Sequence, residues 1–171
     1  MIELKNNLIG IVISTYTQQN TDESRYQIIE KSLDSLSRFI SDSENRYLNN
    51  KVAYRYYTII VVDGPIPDEH KQLLQKYQNN QLIDIHFKKV NGGVARAKNT
   101  SIRLLMEKKV DIGFLMDDDV EYKLDCLDRY VSTILKGQIH HMSYCQMNPI
   151  VHPKSTWEKR GYVVKYIHQQ P

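Results

Sequence analysis

Asp111 to Asp119, read as DIGFLMDDD, is the stretch on which the folding of this chain turns. Its apolar part, Asp111 to Met116, is too short for an ordinary helix and predicts a buried strand. The strand stops in three adjacent carboxylates, Asp117, Asp118 and Asp119. Such a run is costly when left unneutralised, because like charges repel. A hard divalent cation, Mg²⁺ or Mn²⁺, removes that cost, since it takes oxygen ligands and commonly shares its shell with substrate phosphates. In extended backbone, Asp117 and Asp119 point to one side and Asp118 to the other. The alternative is an acidic helix N-terminus, where aspartates cap amides and favour the dipole. The position directly behind a strand, with Val120 continuing the apolar side, favours the metal.

Working outward, other segments repeat the pattern of an apolar run that ends in polar residues. Leu8 to Ser14 (LIGIVIS) is rich in β-branched residues and predicts a strand buried on both faces, followed by a polar loop to Thr21. Tyr26, Ile29, Leu33, Leu36 and Ile40 alternate spacings of three and four, the stripe of an amphipathic helix. Ser41 to Asn50 (SDSENRYLNN) has no apolar period and reads as a connection. Tyr56 to Val62 (YYTIIVV) predicts a second buried strand, stopped by Asp63-Gly64-Pro65. A helix through Leu73, Leu74 and Tyr77 and a strand from Leu82 to Phe87 follow. Asn91-Gly92-Gly93 makes a turn before a helix over Val94 to Lys109. A last helix is expected from Leu124 to Leu135 and a further strand from Ile139 to Met147. Strands alternating with helices imply an α/β fold, a mostly parallel central sheet flanked by helices. With 171 residues and no repeat or linker, a single domain over residues 1–171 is expected.

Composition narrows the function. Hydrophobic residues at 41% and charged residues at 25% describe a globular chain rather than a disordered one. A net charge of +3 suits an anionic small molecule and falls far short of the basic stripe that nucleic acid requires. Cys126 and Cys145 lack metal-type spacing and read as reduced thiols in a cytoplasmic protein. The apolar start turns polar by Thr17, so neither a signal peptide nor a direct membrane span is expected.

In an open α/β sheet, ligands bind beyond the carboxyl ends of the strands, where strand order reverses. The residues there are Thr15 and Tyr16, Asp63, the segment Asn91 to Asn99, and the three aspartates. Asp63 serves either as an Asx-turn residue beside Gly-Pro or as a carboxylate that accepts hydrogen bonds from a nucleotide's imide or ribose. Asn91 to Asn99 joins a glycine turn to a helix start carrying Arg96 and Lys98, which suits a diphosphate, or else holds two solvated cations. No GxxxxGK[ST] follows a strand, and no GxGxxG follows the first, which disfavours a P-loop protein or a dinucleotide dehydrogenase. His140, His141, His152 and His168 read as surface or packing residues, since neighbouring histidines on a strand face opposite ways. Trp157 and the twelve tyrosines suit either an acceptor-stacking surface or ordinary core and rim.

The ordered set Ile11–Asn20 (IVISTYTQQN), Ile59–Pro65 (IIVVDGP), Asn91–Ile102 (NGGVARAKNTSI) and Phe114–Arg129 (FLMDDDVEYKLDCLDR) resembles the family-2 glycosyltransferases and their GT-A relatives. The resemblance covers about Ile9 to Arg129. It implies a GT-A architecture, with a nucleotide-binding half over about residues 8–120 and a short acceptor side over 121–171. It also implies that Thr15, Tyr16 and Asp63 line the nucleobase and ribose. Lys98 stands where the family usually has the arginine of an Ala-Arg-Asn motif, with Ala97 and Asn99 matching their neighbours and Arg96 sharing the phosphate role. Asp117, Asp118 and Asp119 match the Asp-x-Asp metal motif, although a common form begins with Asp where this chain has Met116, which leaves the ligand register open by one residue. The implied partners are a nucleoside-diphosphate sugar, UDP-linked by preference, a carbohydrate or other hydroxyl acceptor, and Mn²⁺ or Mg²⁺. The implied reaction is direct displacement at the anomeric carbon with inversion.

Family members usually continue well past the metal motif to a catalytic carboxylate, whereas 52 residues follow Asp119 here, and no base is assigned. The alternative expectation is a truncated or catalytically incomplete module that binds donor without efficient transfer. A nucleotidyltransferase would want a Gly-rich, Arg-containing loop after the first strand, which Ser14 to Asn20 does not provide. An aspartate-based phosphotransferase would place its nucleophile there as well, and here the aspartates follow the fourth strand.

Overall fold

The apolar runs form strands β1 (Leu8–Thr15), β2 (Arg55–Val62), β3 (Ile83–Phe87) and β4 (Ile112–Asp117). Between and after them lie helices α1 (Glu23–Leu48), α2 (Asp68–Gln78), α3 (Val94–Glu107) and α4 (Leu124–Leu135). The computed structural model describes residues 4–19, 22–78 and 83–136, with Leu124 and Asp125 described in backbone only. The strand expected at Ile139–Met147, the four histidines His140, His141, His152 and His168, Cys145 and Trp157 lie outside the described residues.

Among the described residues every strand pairing is parallel, and the order across the sheet is β3-β2-β1-β4. The chain therefore builds outward from β1 to β3 and then returns to lay β4 on the other side of β1. That reversal opens a switch point between the carboxyl ends of β1 and β4, where Ser14 pairs in register with Asp117. The expected α/β architecture is the one observed.

Side-chain alternation on the strands makes two layers of core. Ile9, Ile11 and Ile13 of β1, with Tyr56, Ile60 and Val62 of β2, pack against Ile29, Leu33, Leu36, Phe39 and Ile40 of α1. Leu74 of α2 and Leu127 and Val131 of α4 join the same cluster. The residues between them, Val12, Ile59 and Val61, face the other way and pack with Leu105 of α3. Gly10 and Gly113 face each other across the β1–β4 pair, and a Cβ on either would run into Leu105, whose Cδ1 would be 2.8 Å from a Cβ at Gly113. Two missing side chains thus form the notch into which α3 settles.

Two expectations need correction. Ser41 to Leu48 continues α1 rather than forming a connection. The apolar period ends near Ile40, but tertiary partners replace it: Ser43 is buried, Glu44 receives Arg55 at 2.6 Å, and Arg46 pairs with Asp128. The fourth strand is half-buried rather than buried: Ile112, Phe114 and Met116 are partly covered, while Gly113, Leu115 and Asp117 on its other face are exposed among the described residues.

Asp128 of α4 ties three elements together. One of its oxygens accepts from the hydroxyls of Tyr54 (3.0 Å) and Tyr56 (2.9 Å), and the other accepts from Arg46 of α1. Burial first, and then the Asp128 charge, pushes the Tyr56 phenol far above its ordinary pKa, so it stays a donor. Replacing Asp128 by Ala strands a partly exposed cation and the hydroxyls of half-buried Tyr54 and buried Tyr56, at an expected cost of about 2 kcal/mol. Urea unfolding of Asp128→Ala should show this loss, with a smaller one for Asp128→Asn, which keeps an acceptor oxygen.

Candidate functional site

The carboxyl ends of the strands carry three ion pairs, graded from buried to open. Behind β2, Asp63 is paired with Lys88, the side chains being 8% and 15% exposed. Across the switch point, Asp118 is 8% exposed and meets Arg25 Nη2 at 2.6 Å. At the end of β4, Asp117 is 50% exposed and faces Lys98 Nζ of α3 at 3.4 Å. The aspartate run does not stay extended: β4 ends at Asp117, which is exposed, and Asp118 and Asp119 form a turn in which the first is buried and the second half-buried. Two serines of α1 hold the segment behind the run. Ser32 Oγ donates to the Val120 carbonyl at 2.8 Å, and Ser35 Oγ accepts from the Tyr122 amide at 2.9 Å.

Asp118 is the centre of a buried network. The Thr15 hydroxyl donates to its Oδ2 while Arg25, in the first turn of α1, takes Oδ1. Burial pushes the Asp118 carboxyl up, with Asp119 adding to the push, while Arg25 and Thr15 work against it. Behind Thr15, His70 of α2 is wholly buried, with Nε2 3.4 Å from Thr15 Oγ1 and Nδ1 2.8 Å from Thr17 Oγ1. Burial, and then the nearby Arg25 charge, pushes the imidazole down to about 4, so it is neutral at pH 7. The Tyr122 hydroxyl is buried without a hydrogen-bond partner among the described residues, and burial followed by the aspartates raises it far above its usual range.

Asp63 organises the loop between β3 and α3. Its backbone amide donates to the Thr15 carbonyl at 3.0 Å, and its Oδ1 accepts from the Gly92 amide at 3.1 Å besides Lys88. Burial alone would raise this carboxyl, but Lys88 and the amides of Gly92 and Gly93 more than offset it and hold it below the usual range. Gly64 takes φ +107°, and a Cβ there would lie 2.5 Å from the Asn91 nitrogen, so only glycine lets the two loops close together. A Cβ on Gly92 would meet Arg96 Cδ at 2.9 Å and Lys88 Nζ at 3.0 Å, which puts both cations at that turn.

The structure therefore brings Thr15, Asp63, Arg96, Lys98, Asp117 and Asp118 to one sheet edge. Tyr16 is half-buried beside Thr15. Asn99 lies elsewhere, on the outer face of α3 with Ile102, Arg103 and Met106, opposite the buried Ala97, Ser101 and Leu105. Arg25, Thr17, His70 and Lys88 lie at the same edge, although the sequence did not single them out. Lys88 carried a usable signal, since it directly follows the third strand. Arg25 and His70 sit in the first turns of helices, where nothing local separates them from solvated residues.

Among the described residues, no group of three or more His, Cys, Asp or Glu side chains is gathered to hold a metal ion. Asp118 serves Thr15 and Arg25, which leaves the exposed Asp117, facing Lys98, and the half-buried Asp119 as the other carboxylates of the run. Two hard oxygen donors suit a cation whose shell is completed by phosphate and water, the habit of Mg²⁺-type ions. No helix among the described residues is long and apolar enough to cross a membrane.

Parallel strands in this order, with polar residues gathered at the switch point, define a Rossmann-like, GT-A-type α/β domain. Solved structures share the fold. S. aureus TarS 1-349 superposes with a TM-score of 0.51 at 18% identity, over 78% of this chain and 33% of that one. The longer S. aureus TarS chain gives 0.52 at 17% identity, over 86% and 23%. The chain belongs to Glycosyl transferase family 2, whose profile it matches over residues 11–168. It is 40% identical over 136 residues to the uncharacterized glycosyltransferase R363 of Acanthamoeba polyphaga mimivirus, covering 80% of this chain. It spans about half (47%) of that relative's length.

Neutral burial of His70 makes stability depend on pH. Unfolded, the imidazole protonates near 6.5, whereas folded it does so only near 4. Between those values the unfolded state binds the extra proton. The contribution of His70 is therefore complete above pH 6.5 and is lost as pH falls toward 4, by up to ~3 kcal/mol. Urea-unfolding free energies from pH 7 to pH 4.5 should fall accordingly, and His70→Gln should flatten that part of the curve.

Proposed function

We propose that this chain supplies the donor-binding part of a metal-dependent glycosyltransferase. In this proposal a sugar passes from a nucleoside-diphosphate sugar, UDP-linked by preference, to a hydroxyl acceptor such as a carbohydrate, with inversion. One observation carries it. Lys98 reaches Asp117 at 3.4 Å across an open edge, with Arg96 and Lys88 gathered at the Gly92 turn beside it. A cation facing an exposed carboxylate at a switch point, with two more cations nearby, suits a diphosphate that arrives with a cation. Asp117 and Asp119 would hold Mn²⁺ or Mg²⁺, which when bound supplies positive charge to the departing diphosphate. Lys98 and Arg96 then bind and orient the phosphate oxygens, and their charge favours the leaving group. Asp63, kept ionised by Lys88 and the loop amides, can accept the imide N–H of uracil, and Tyr16 can cover the pyrimidine face. A carboxylate would deprotonate the acceptor hydroxyl, and no described residue is assigned that role.

Calorimetry tests the metal and phosphate assignments. UDP should bind in the presence of Mn²⁺, and the Asp117→Asn/Asp119→Asn double variant should lose the Mn²⁺-dependent part of the affinity. Unchanged affinity in the double variant would refute the metal assignment.

Competition binding tests the base pocket. UDP should displace a labelled probe better than ADP or GDP. Loss of the charged hydrogen bond in Asp63→Asn should cost roughly 1.5–3 kcal/mol, about ten- to hundredfold. Because Asp63 also holds Lys88, the informative readout is the UDP-over-ADP ratio. A ratio that stays intact in the variant makes Asp63 a loop-organising residue only. UDP-sugar binding without transfer to any acceptor would reduce the proposal to a donor-binding module.

A further inference from the structure

We infer that His70 is a positioning residue for Asp118, acting through Thr15 as the middle member of a one-way hydrogen-bond chain. The direction follows from counting protons. Arg25 takes Asp118 Oδ1 at 2.6 Å and the Thr15 hydroxyl donates to Oδ2, so the single hydroxyl proton of Thr15 is committed there. Thr15 Oγ1 then has only lone pairs to offer His70, and the ring nitrogen facing it at 3.4 Å, Nε2, must carry hydrogen. The ring is wholly buried and lies near the Arg25 cation, with threonine hydroxyls rather than carboxylates at its two nitrogens, so it is neutral. A neutral imidazole has one N–H, which leaves Nδ1 as an acceptor for the Thr17 hydroxyl at 2.8 Å. The chain runs from Thr17 to His70, from His70 to Thr15, and from Thr15 to Asp118.

The same geometry says what the chain does. Without the His70 N–H, Thr15 Oγ1 is free to rotate its proton toward another acceptor, and Asp118 Oδ2 loses a fixed donor. Asp118 would then be held by Arg25 alone and could swing about that single contact. Its neighbour Asp117 would lose its registration against Lys98. The two ring nitrogens of His70 face Thr15 and Thr17, so its influence on Asp118 passes through Thr15. Tyr26, whose ring meets the imidazole edge-on at 6.0 Å between centroids, helps fix the plane of the ring.

The test uses two readouts that need no ligand and one that does. Long-range ¹H–¹⁵N correlation spectra of the histidine-labelled full chain at pH 7, assigned with His70→Gln, should show His70 as the neutral Nε2–H tautomer. The Asp118 carboxyl ¹³C resonance should stay near its native position in His70→Gln, whose amide nitrogen reaches the Nε2 site. It should move in His70→Asn, whose amide reaches only the Nδ1 site, and in Thr15→Val. Thr15→Ser, which keeps the hydroxyl, should retain it. An Nδ1–H tautomer in the native protein overturns the chain whether or not any variant folds. An Asp118 resonance that ignores His70→Asn and Thr15→Val overturns the positioning role. The binding arm rests on the nucleotide-diphosphate reading above: Mn²⁺-dependent UDP affinity should be near native in His70→Gln and about tenfold weaker in His70→Asn. Equal affinity in both overturns the link to the site. Failure of the native protein to bind UDP counts against the donor reading, while the two resonances still decide the chain.

Discussion

The grip of Thr15 and Arg25 on Asp118 is the interaction on which the rest of the carboxyl edge depends. It closes the switch point between β1 and β4, the place where the order of strands leaves a gap. A buried carboxylate is expensive unless its charge is matched and its lone pairs are filled, and removing one partner of such a pair costs more than the pair contributes. Asp118 meets both conditions, with Arg25 on one oxygen and Thr15 on the other. The first turn of α1 is thereby tied to the end of β4, and Ser32 and Ser35 of the same helix tie down the residues that follow.

The other side of the site is set by what is missing rather than by what bonds. Leu105 enters the notch left by Gly10 and Gly113, which brings α3 close to β1 and β4. Protein interiors are packed densely enough that one additional methyl is felt. The seat of Leu105 therefore fixes the helix whose first turns carry Arg96 and Lys98. Gly64 does the same for the loops, letting the turn behind β2 rest against Asn91 so that Asp63 can reach the Gly92 amide. The site is assembled from both faces of the sheet, with α1 and α2 holding one side and α3 the other.

Much of this was legible in the chain itself, for an identifiable reason. Buried parallel strands announce themselves as apolar runs, and the residues behind them stand where ligands bind, so Thr15, Asp63 and the aspartates were found without any contact being known. Periodicity failed where tertiary pairing replaced it. Ser41 to Leu48 has no apolar stripe, yet Glu44 and Arg46 hold it helical through Arg55 and Asp128. It also failed for β4, whose apolar letters say nothing about whether a neighbour covers its outer face. Arg25 and His70 were invisible because their significance lies in partners about ninety and fifty residues away. No local pattern separates a buried neutral histidine from an ordinary one on a helix. Asn99 shows the converse, since matching a motif letter did not carry it to the site edge.

The grading of the three ion pairs bears on how the site can work. Exposed pairs contribute about 0–1 kcal/mol, while breaking a buried pair costs several times more. Asp63 with Lys88 and Asp118 with Arg25 are the buried pairs, and each also organises backbone or helix. Their cost of rupture keeps them closed whatever approaches the edge. Asp117 with Lys98 is the open pair, the longest of the three, and no hydrogen bond described here makes other structure lean on it. Its partners can therefore be separated for little free energy, each exchanging the other for a ligand group of the same sign. A phosphate in place of Asp117 at Lys98, and a cation in place of Lys98 at Asp117, would leave every buried contact intact. Rigid pairs behind and an exchangeable pair in front give the edge a fixed frame with one opening, and the opening is matched in charge to an anion that arrives with its own cation.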